Sequence, residues 1–242
     1  MPPEPKTREK DTAQPHYLGH RQRLRRRFLD SGPGALADYE LLELLLCQAL
    51  PRADIKPIAK ALLSRFGSFA GVMAAEPALL MEIAGIKEAA AVAIKTVQAA
   101  VLLMMREQVL DKPVLGSWRQ VLDYCHAIMA HEKIEQFRLL FLDGKNQLIA
   151  DELQSRGTVD HAPVYVREVA KRALTLGASA LIMAHNHPTG DPTPSRDDIE
   201  MTRLVASALD KIGIRLHDHI IIGRKDHSSL RSLGYLEGGA RR

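Results

Sequence analysis

A short apolar run, Leu181–Ala184, ends in two histidines with one residue between them, and a proline follows at once. Side chains alternate along a strand, so His185 and His187 leave it on the same side and converge on one point. Pro188, Gly190, Pro192 and Pro194 then bar any regular element. Ser195 reads as a helix start, with the carboxylates Asp197 and Asp198 in the first turn. The stretch therefore demands a buried strand, a stiff loop and a helix N-terminus in direct succession. Two imidazoles and one carboxylate on so short a frame supply three protein ligands for a zinc ion. A catalytic site needs that number, because the fourth tetrahedral position must stay open to water.

Each piece also has a plainer account. Ser195-Arg196-Asp197-Asp198 is a capping box, with Ser195 as N-cap and Asp198 reaching back to the backbone. His-x-His pairs occur on ordinary surface strands, and Asp197 reads as solvent-exposed beside Asp198. The conjunction of buried strand, His-x-His-Pro, turn and Ser-x-x-Asp is what selects the metal.

His-x-His-Pro, six residues, then Ser-x-x-Asp resembles the JAMM motif of the MPN/JAB-type zinc hydrolases, which include deubiquitinating isopeptidases. More closely, His185–Gly190 and its flanks resemble the bacterial RadC family. That similarity runs through Gly157-Thr158-Val159, Val166-Arg167-Glu168, Asp218–Gly223 and the N-terminal half, although RadC sequences more often carry Ser where Thr189 stands. The resemblance implies an α-helical, helix-hairpin-helix-like N-terminal domain followed by a C-terminal α/β JAB/MPN-like (cytidine-deaminase-like) layered domain. It implies Zn2+ held by His185, His187 and Asp198, with Ser195 donating a hydrogen bond to the oxyanion. It also implies a glutamate base just before the first strand of the hydrolase sheet. Glu135, two residues before Phe137, fits that place best; Glu132 and Glu152 are its rivals. The implied activity is metallopeptidase- or isopeptidase-type hydrolysis through metal-activated water, on a peptide or isopeptide substrate that the motif does not specify. The alternatives are a DNA-binding or DNA-repair-associated protein whose metal domain is structural or inactive, and a metal-dependent nuclease.

At 242 residues and 46% hydrophobic, the chain has room for two modest domains with real cores. Residues 1–15, charged and proline-containing, read as a disordered tail without the apolar core of a secretory signal. No apolar run approaches the length of a membrane span, so no membrane partner is expected, and Cys47 and Cys125 lie far apart in apolar contexts. Free buried thiols in a reducing cytoplasm are the expectation. A formal charge of +4 selects no partner by itself.

Residues 16–110 read as a helical domain, 111–117 as a linker and 118–242 as the metallohydrolase domain. The helical part opens with Arg21, Arg23, Arg25, Arg26 and Arg27, arranged around Leu24 and Phe28. That cluster suits either nucleic-acid phosphates or a solvated face paired with local acids. Asp38–Cys47 is apolar enough for a central helix, and Ile55–Phe66 is amphipathic. Leu79 to Ile94 resembles a helix-hairpin-helix unit, in which a Gly-hydrophobic-Gly turn offers backbone N–H groups to a DNA phosphate. Here the turn is Gly85-Ile86-Lys87. The second glycine is missing, and a lysine costs more to hold at positive φ.

In the second half the spacing predicts a helix over Trp118–His131 and a buried strand over Phe137–Leu142. A tight turn at Asp143–Asn146 and a return strand from Gln147 follow. Val166–Leu176 reads as a helix, then come the strand carrying the histidines, a helix over Ile199–Ile212 and a strand over Ile214–Gly223. Asp218 and His219 on that last strand read as core hydrogen-bonding residues, with His219 as an extra metal contact the competing role.

Overall fold

The computed structural model describes residues 16–110, 114–116, 118–157 and 165–236. The tail expected over 1–15, most of the linker at 111–117, and Thr158 and Val159 lie outside the described residues. Two compact units divide between Val97 and Gln98.

The N-terminal unit is helical: α1 (His16–Ser31), α2 (Asp38–Ala49), α3 (Ile55–Phe66), α4 (Phe69–Ala74), α5 (Pro77–Met81) and the start of α6 (Glu88–Val109). Its core collects Leu42, Leu46, Leu62, Leu80, Ile86 and Ile94. Leu42 and Leu46 come from the helix expected to be central. Ser68 caps α4 by accepting the Gly71 N–H, and Pro77 opens α5, where a missing N–H costs nothing.

The division falls inside α6, N-terminal to the expected linker. The reason is local: Met105, Val109 and Leu110 pack into the core of the C-terminal unit. By length and composition α6 would also suffice to cross a membrane, which corrects the expectation that no apolar run approaches that length. Lys95 interrupts it and donates to the Met73 and Ala75 carbonyls.

The C-terminal unit is built on a sheet of order β2-β1-β3-β4-β5. Its strands are β1 (Gln136–Leu142), β2 (Leu148–Arg156), β3 (Ala180–Asn186), β4 (Arg215–Ile222) and β5 (His227–Ser229). Only β3 and β4 run parallel; the other pairs are antiparallel. One face packs on α7 (Trp118–Met129) through Val121, Tyr124, Cys125 and Met129, meeting Leu140, Ile182 and Ile220. The other face packs on α8 (Val166–Thr175) and α9 (Arg196–Asp210), where Phe137, Leu139, Met183 and Ile221 meet Val169, Ala173, Val205 and Leu209. Helices on both faces of a mixed sheet are the layered α/β arrangement expected of this half. α9 is the crossover joining the parallel pair, so its N-terminus meets the C-terminal end of β3, where such folds place ligands.

Candidate metal centre

The sheet delivers His185 at the buried end of β3, directly opposite Phe137 of β1. The two rings stack, with centroids 5.9 Å apart and planes within 13°. Burial pushes the His185 imidazole down to about 4; the nearby Asp198 charge opposes this only in part. His187 lies one residue beyond the strand and keeps partial contact with solvent. Its hydrogen bond with Asp198 outweighs desolvation and raises its pKa.

The loop between the histidines and α9 is fastened to the end of β4. The His187 N–H donates to the Ile222 carbonyl (3.0 Å), and the Arg224 N–H donates to that of Gly190 (3.0 Å). Gly190 has φ +91°, and Gly223 lies so close beneath it that a Cβ there would meet the Gly190 carbonyl oxygen at 2.6 Å. Only glycine fits that approach. His187 Nδ1 donates to the Asp191 carbonyl at 2.8 Å, which leaves Nε2 pointing at the centre.

Ser195 then caps α9 with the expected box. Its Oγ accepts the Asp198 N–H at 3.1 Å, and Asp198 Oδ2 accepts both the Ser195 N–H (2.8 Å) and hydroxyl (2.6 Å). Burial alone would raise the Asp198 carboxyl. Hydrogen bonds from His187 and Ser195 and the field of His185 outweigh it, holding the group well below the usual carboxylate range.

These elements bring three ligand atoms together. His185 Nε2 lies 3.0 Å from His187 Nε2 and 3.2 Å from Asp198 Oδ1, and His187 Nε2 lies 3.5 Å from Asp198 Oδ2. One ligand atom from each residue falls within 4.8 Å of the others, as binding one metal ion requires. Among the described residues, Asp197 is exposed and outside this group.

The three glutamates separate by environment. Glu152 is engaged by Arg172 of α8, whose Nε donates to its oxygens at 3.0 and 2.8 Å. Glu132 accepts from Gln136 Nε2 at 2.7 Å. Glu135 immediately precedes β1, whose Phe137 pairs with His185 of β3, and so lies near His187. Its charge contributes to the raised pKa of His187.

Residues 115–235 match the RadC-like JAB domain, and residues 17–92 match the UPF0758 N-terminal domain. The chain belongs to the RadC family. Each RadC match falls inside one of the two compact units. The RadC-like JAB match and the gathered His-His-Asp group together mark the C-terminal unit as a JAMM-family metal-binding domain.

Two polar residues of this RadC site, Asn186 and Thr202, carried no assigned part in it from sequence, and a third, His219, reads mainly as a core residue. Asn186, the residue between the two histidines, is buried and faces the α7 side. Its Oδ1 accepts the Gln136 N–H at 2.8 Å, and its Nδ2 donates to the carbonyls of Ile134 (3.2 Å) and Glu132 (3.4 Å). It thereby ties the segment bearing Glu132 and Glu135 to the histidine strand. The available signal was a polar residue inside a run otherwise buried on both faces. His219 bonds to His185 and Thr202, in keeping with the core role read for it. Thr202 follows Asp198 by one helical turn and so shares its face.

Proposed function

We propose that the chain is a zinc-dependent hydrolase of amide or isopeptide bonds, a metallopeptidase of JAMM type. The observation that carries this reading is the convergence of two imidazole nitrogens and one carboxylate oxygen within 4.8 Å. They sit at the C-terminal end of the parallel strand pair. The donor set fits zinc: three N/O ligands leave one tetrahedral position for water. A zinc ion bound there supplies Lewis acidity and a water of lowered pKa.

His185, His187 and Asp198 would hold the ion, and Asp198 Oδ2 accepts from the Ser195 cap of α9. Glu135, whose charge acts on His187, would be the base that takes a proton from water and returns it to the leaving amine. Ser195, beside Asp198, is the hydroxyl donor to the developing oxyanion. In the resting arrangement that hydroxyl is committed to Asp198, so donation to substrate requires it to turn. Two free, buried thiols, Cys47 and Cys125, suit a cytoplasmic setting.

Metal analysis of the purified protein tests the reading, followed by peptide, isopeptide and DNA cleavage with His187→Ala as control. Stoichiometric zinc, absent from the variant, and cleavage of an amide substrate are the expected results. Cleavage of DNA alone would move the chain to the nucleases. Absence of metal after reconstitution would sink the site.

A second reading, DNA association through the N-terminal unit, has its own observation. Arg23 and Arg25 are exposed on α1, and Gly85 at φ +91° forms a hairpin-like turn ahead of α6. Lys87 avoids the positive φ that a second glycine would serve. Part of the arginine cluster is structural, however: Arg21 is buried and binds the carbonyls of Leu50, Pro51 and Ala53. Arg27 pairs with Glu40 and Arg26 with Asp30. Reversing the charge of Arg23 and Arg25 in the full chain should weaken DNA binding and flatten its salt dependence. Binding unchanged by the reversal would remove α1 from the interface.

A further inference from the structure

Behind the ligand set, a chain of buried hydrogen bonds runs from His185 back to the helix that carries Asp198. His185 Nδ1 lies 2.8 Å from His219 Nε2, and His219 Nδ1 lies 2.5 Å from the Thr202 hydroxyl. The hydroxyl in turn lies 2.5 Å from the backbone carbonyl of Asp198. Thr202 and His219 are fully buried, and His185 is 1% exposed.

The direction of this chain follows from its end. A carbonyl oxygen carries no hydrogen, so the proton between it and Thr202 is the hydroxyl's own. With that proton spent, Thr202 can only accept from His219, which places hydrogen on His219 Nδ1. His219 Nε2 is then the acceptor, and His185 must donate from Nδ1. A neutral imidazole carries one ring hydrogen, so His185 Nε2 faces Asp198 and His187 with a lone pair. Were the order reversed, two oxygens would meet at 2.5 Å with no hydrogen between them.

We propose that His219 and Thr202 are positioning residues that fix the metal-competent tautomer of His185, using the backbone of the helix that bears the third ligand. The inference rests on the metal-binding reading above. It removes His219 from the list of ligands, since both of its ring nitrogens are used behind the site. It also couples two ligands: a shift of the first turn of α9 that frees the Asp198 carbonyl releases the constraint on His185. Partners of this kind orient metal-binding histidines generally, and their loss costs about 10- to 100-fold in metal affinity.

The test uses the full chain with Thr202→Val, Thr202→Ser, His219→Phe and His219→Gln. Three quantities are measured: zinc affinity by chelator competition, thermal unfolding of the metal-free protein, and the His185 tautomer by nitrogen NMR without metal. Thr202→Val keeps the shape and removes the hydroxyl, and should weaken zinc by about 10- to 100-fold; Thr202→Ser should restore it. His219→Phe should lose at least as much, and His219→Gln, which returns an acceptor, should recover part. Zinc affinity unmoved in Thr202→Val while metal-free unfolding shifts down would overturn the proposal, reducing the chain to packing. If Thr202→Val or His219→Phe does not fold, the tautomer of the unsubstituted protein decides: hydrogen on His185 Nδ1 upholds the order, hydrogen on Nε2 refutes it. If the unsubstituted protein takes up no zinc, the metal reading fails, and the NMR measurement still judges the hydrogen-bond order.

Discussion

The two faces of the sheet each bury a polar cluster, and the clusters are opposites. On the α7 face, Arg138 forks onto Asp151 at 3.0 and 2.9 Å, and the Tyr124 hydroxyl donates to the same carboxylate at 2.5 Å. Donors meet an acceptor, and charge meets countercharge. Burial and the neighbouring carboxylate keep Tyr124 protonated. On the α8–α9 face, His185, His187 and Asp198 bring three electron-pair donors within reach of one another. His187 Nδ1 sends its hydrogen outward to the Asp191 carbonyl, and His187 and Asp198 are joined within the group by a hydrogen bond. The first cluster is complete within the protein. On the proposed metal-binding reading the second is completed by a cation, and binding energy rather than folding energy is what its geometry would store.

Substitutions can break or sharpen this contrast. The largest effect is expected from His187→Ala, which should abolish stoichiometric zinc by metal analysis yet change metal-free stability by only about 1 kcal/mol, within the common range for point substitutions. Asp151→Ala should do the reverse. Leaving the Arg138 charge buried and Tyr124 unpaired costs about 3–5 kcal/mol in denaturant unfolding, with zinc stoichiometry unchanged. Equal effects of the two on both readouts would erase the distinction.

Glu135→Gln should lower amide hydrolysis by about 10²- to 10⁴-fold while zinc content stays the same. Full activity in that variant would return the choice to Glu132. Acid provides a graded test on the metal-free protein. The unfolded His185 ring takes a proton near pH 6.5, whereas the folded ring does so only at about 4. Between these values the unfolded chain binds more protons, so stability falls as pH is lowered, by on the order of 3 kcal/mol in all. His187, with its raised pKa, works with the opposite sign: its contribution is present below pH 6.5 and is lost as pH rises through its folded value. Urea unfolding at a series of pH values checks the balance; stability flat from pH 6.5 to 4 would mean that His185 is not shielded as the structure has it. The smallest effect is assigned to Glu152→Gln. Its partner Arg172 lies at the surface, where water screens the pair, so unfolding stability should stay nearly unchanged.

Much of the site was legible because its parts are close in sequence. His185, His187, Ser195 and Asp198 lie on one strand, one loop and one helix turn, and alternation and capping chemistry place their side chains with little help. The long elements were legible for a similar reason: the apolar period of α2, α7, α8 and α9 continues over several turns. β5 is three residues long, too short for alternation to show. The role of Tyr124 on α7 was not legible because its partner, Asp151, lies far along the chain on β2. Arg21 looked like one basic residue among five, and only the packing of α1 shows it serving three backbone carbonyls.

The sequence by itself determined that His185, His187 and Asp198 come together, and the alternation of helix and strand that brings them there, since both follow from local spacing. Tertiary structure decided what surrounds the triad. Glu135 comes near enough to His187 for its charge to be felt because β1, which it precedes, pairs with β3, a long-range choice that no local pattern encodes. The clearest case is Asp218-His219. β4 carries one extra residue against β3, between Leu216 and Asp218, so His219 rather than Asp218 pairs with Met183 and shares the face of His185. Moving the register by one residue turns every following side chain to the other face. That single residue places His219 behind His185 and leaves Asp218 to Ser229 and the Arg231 backbone.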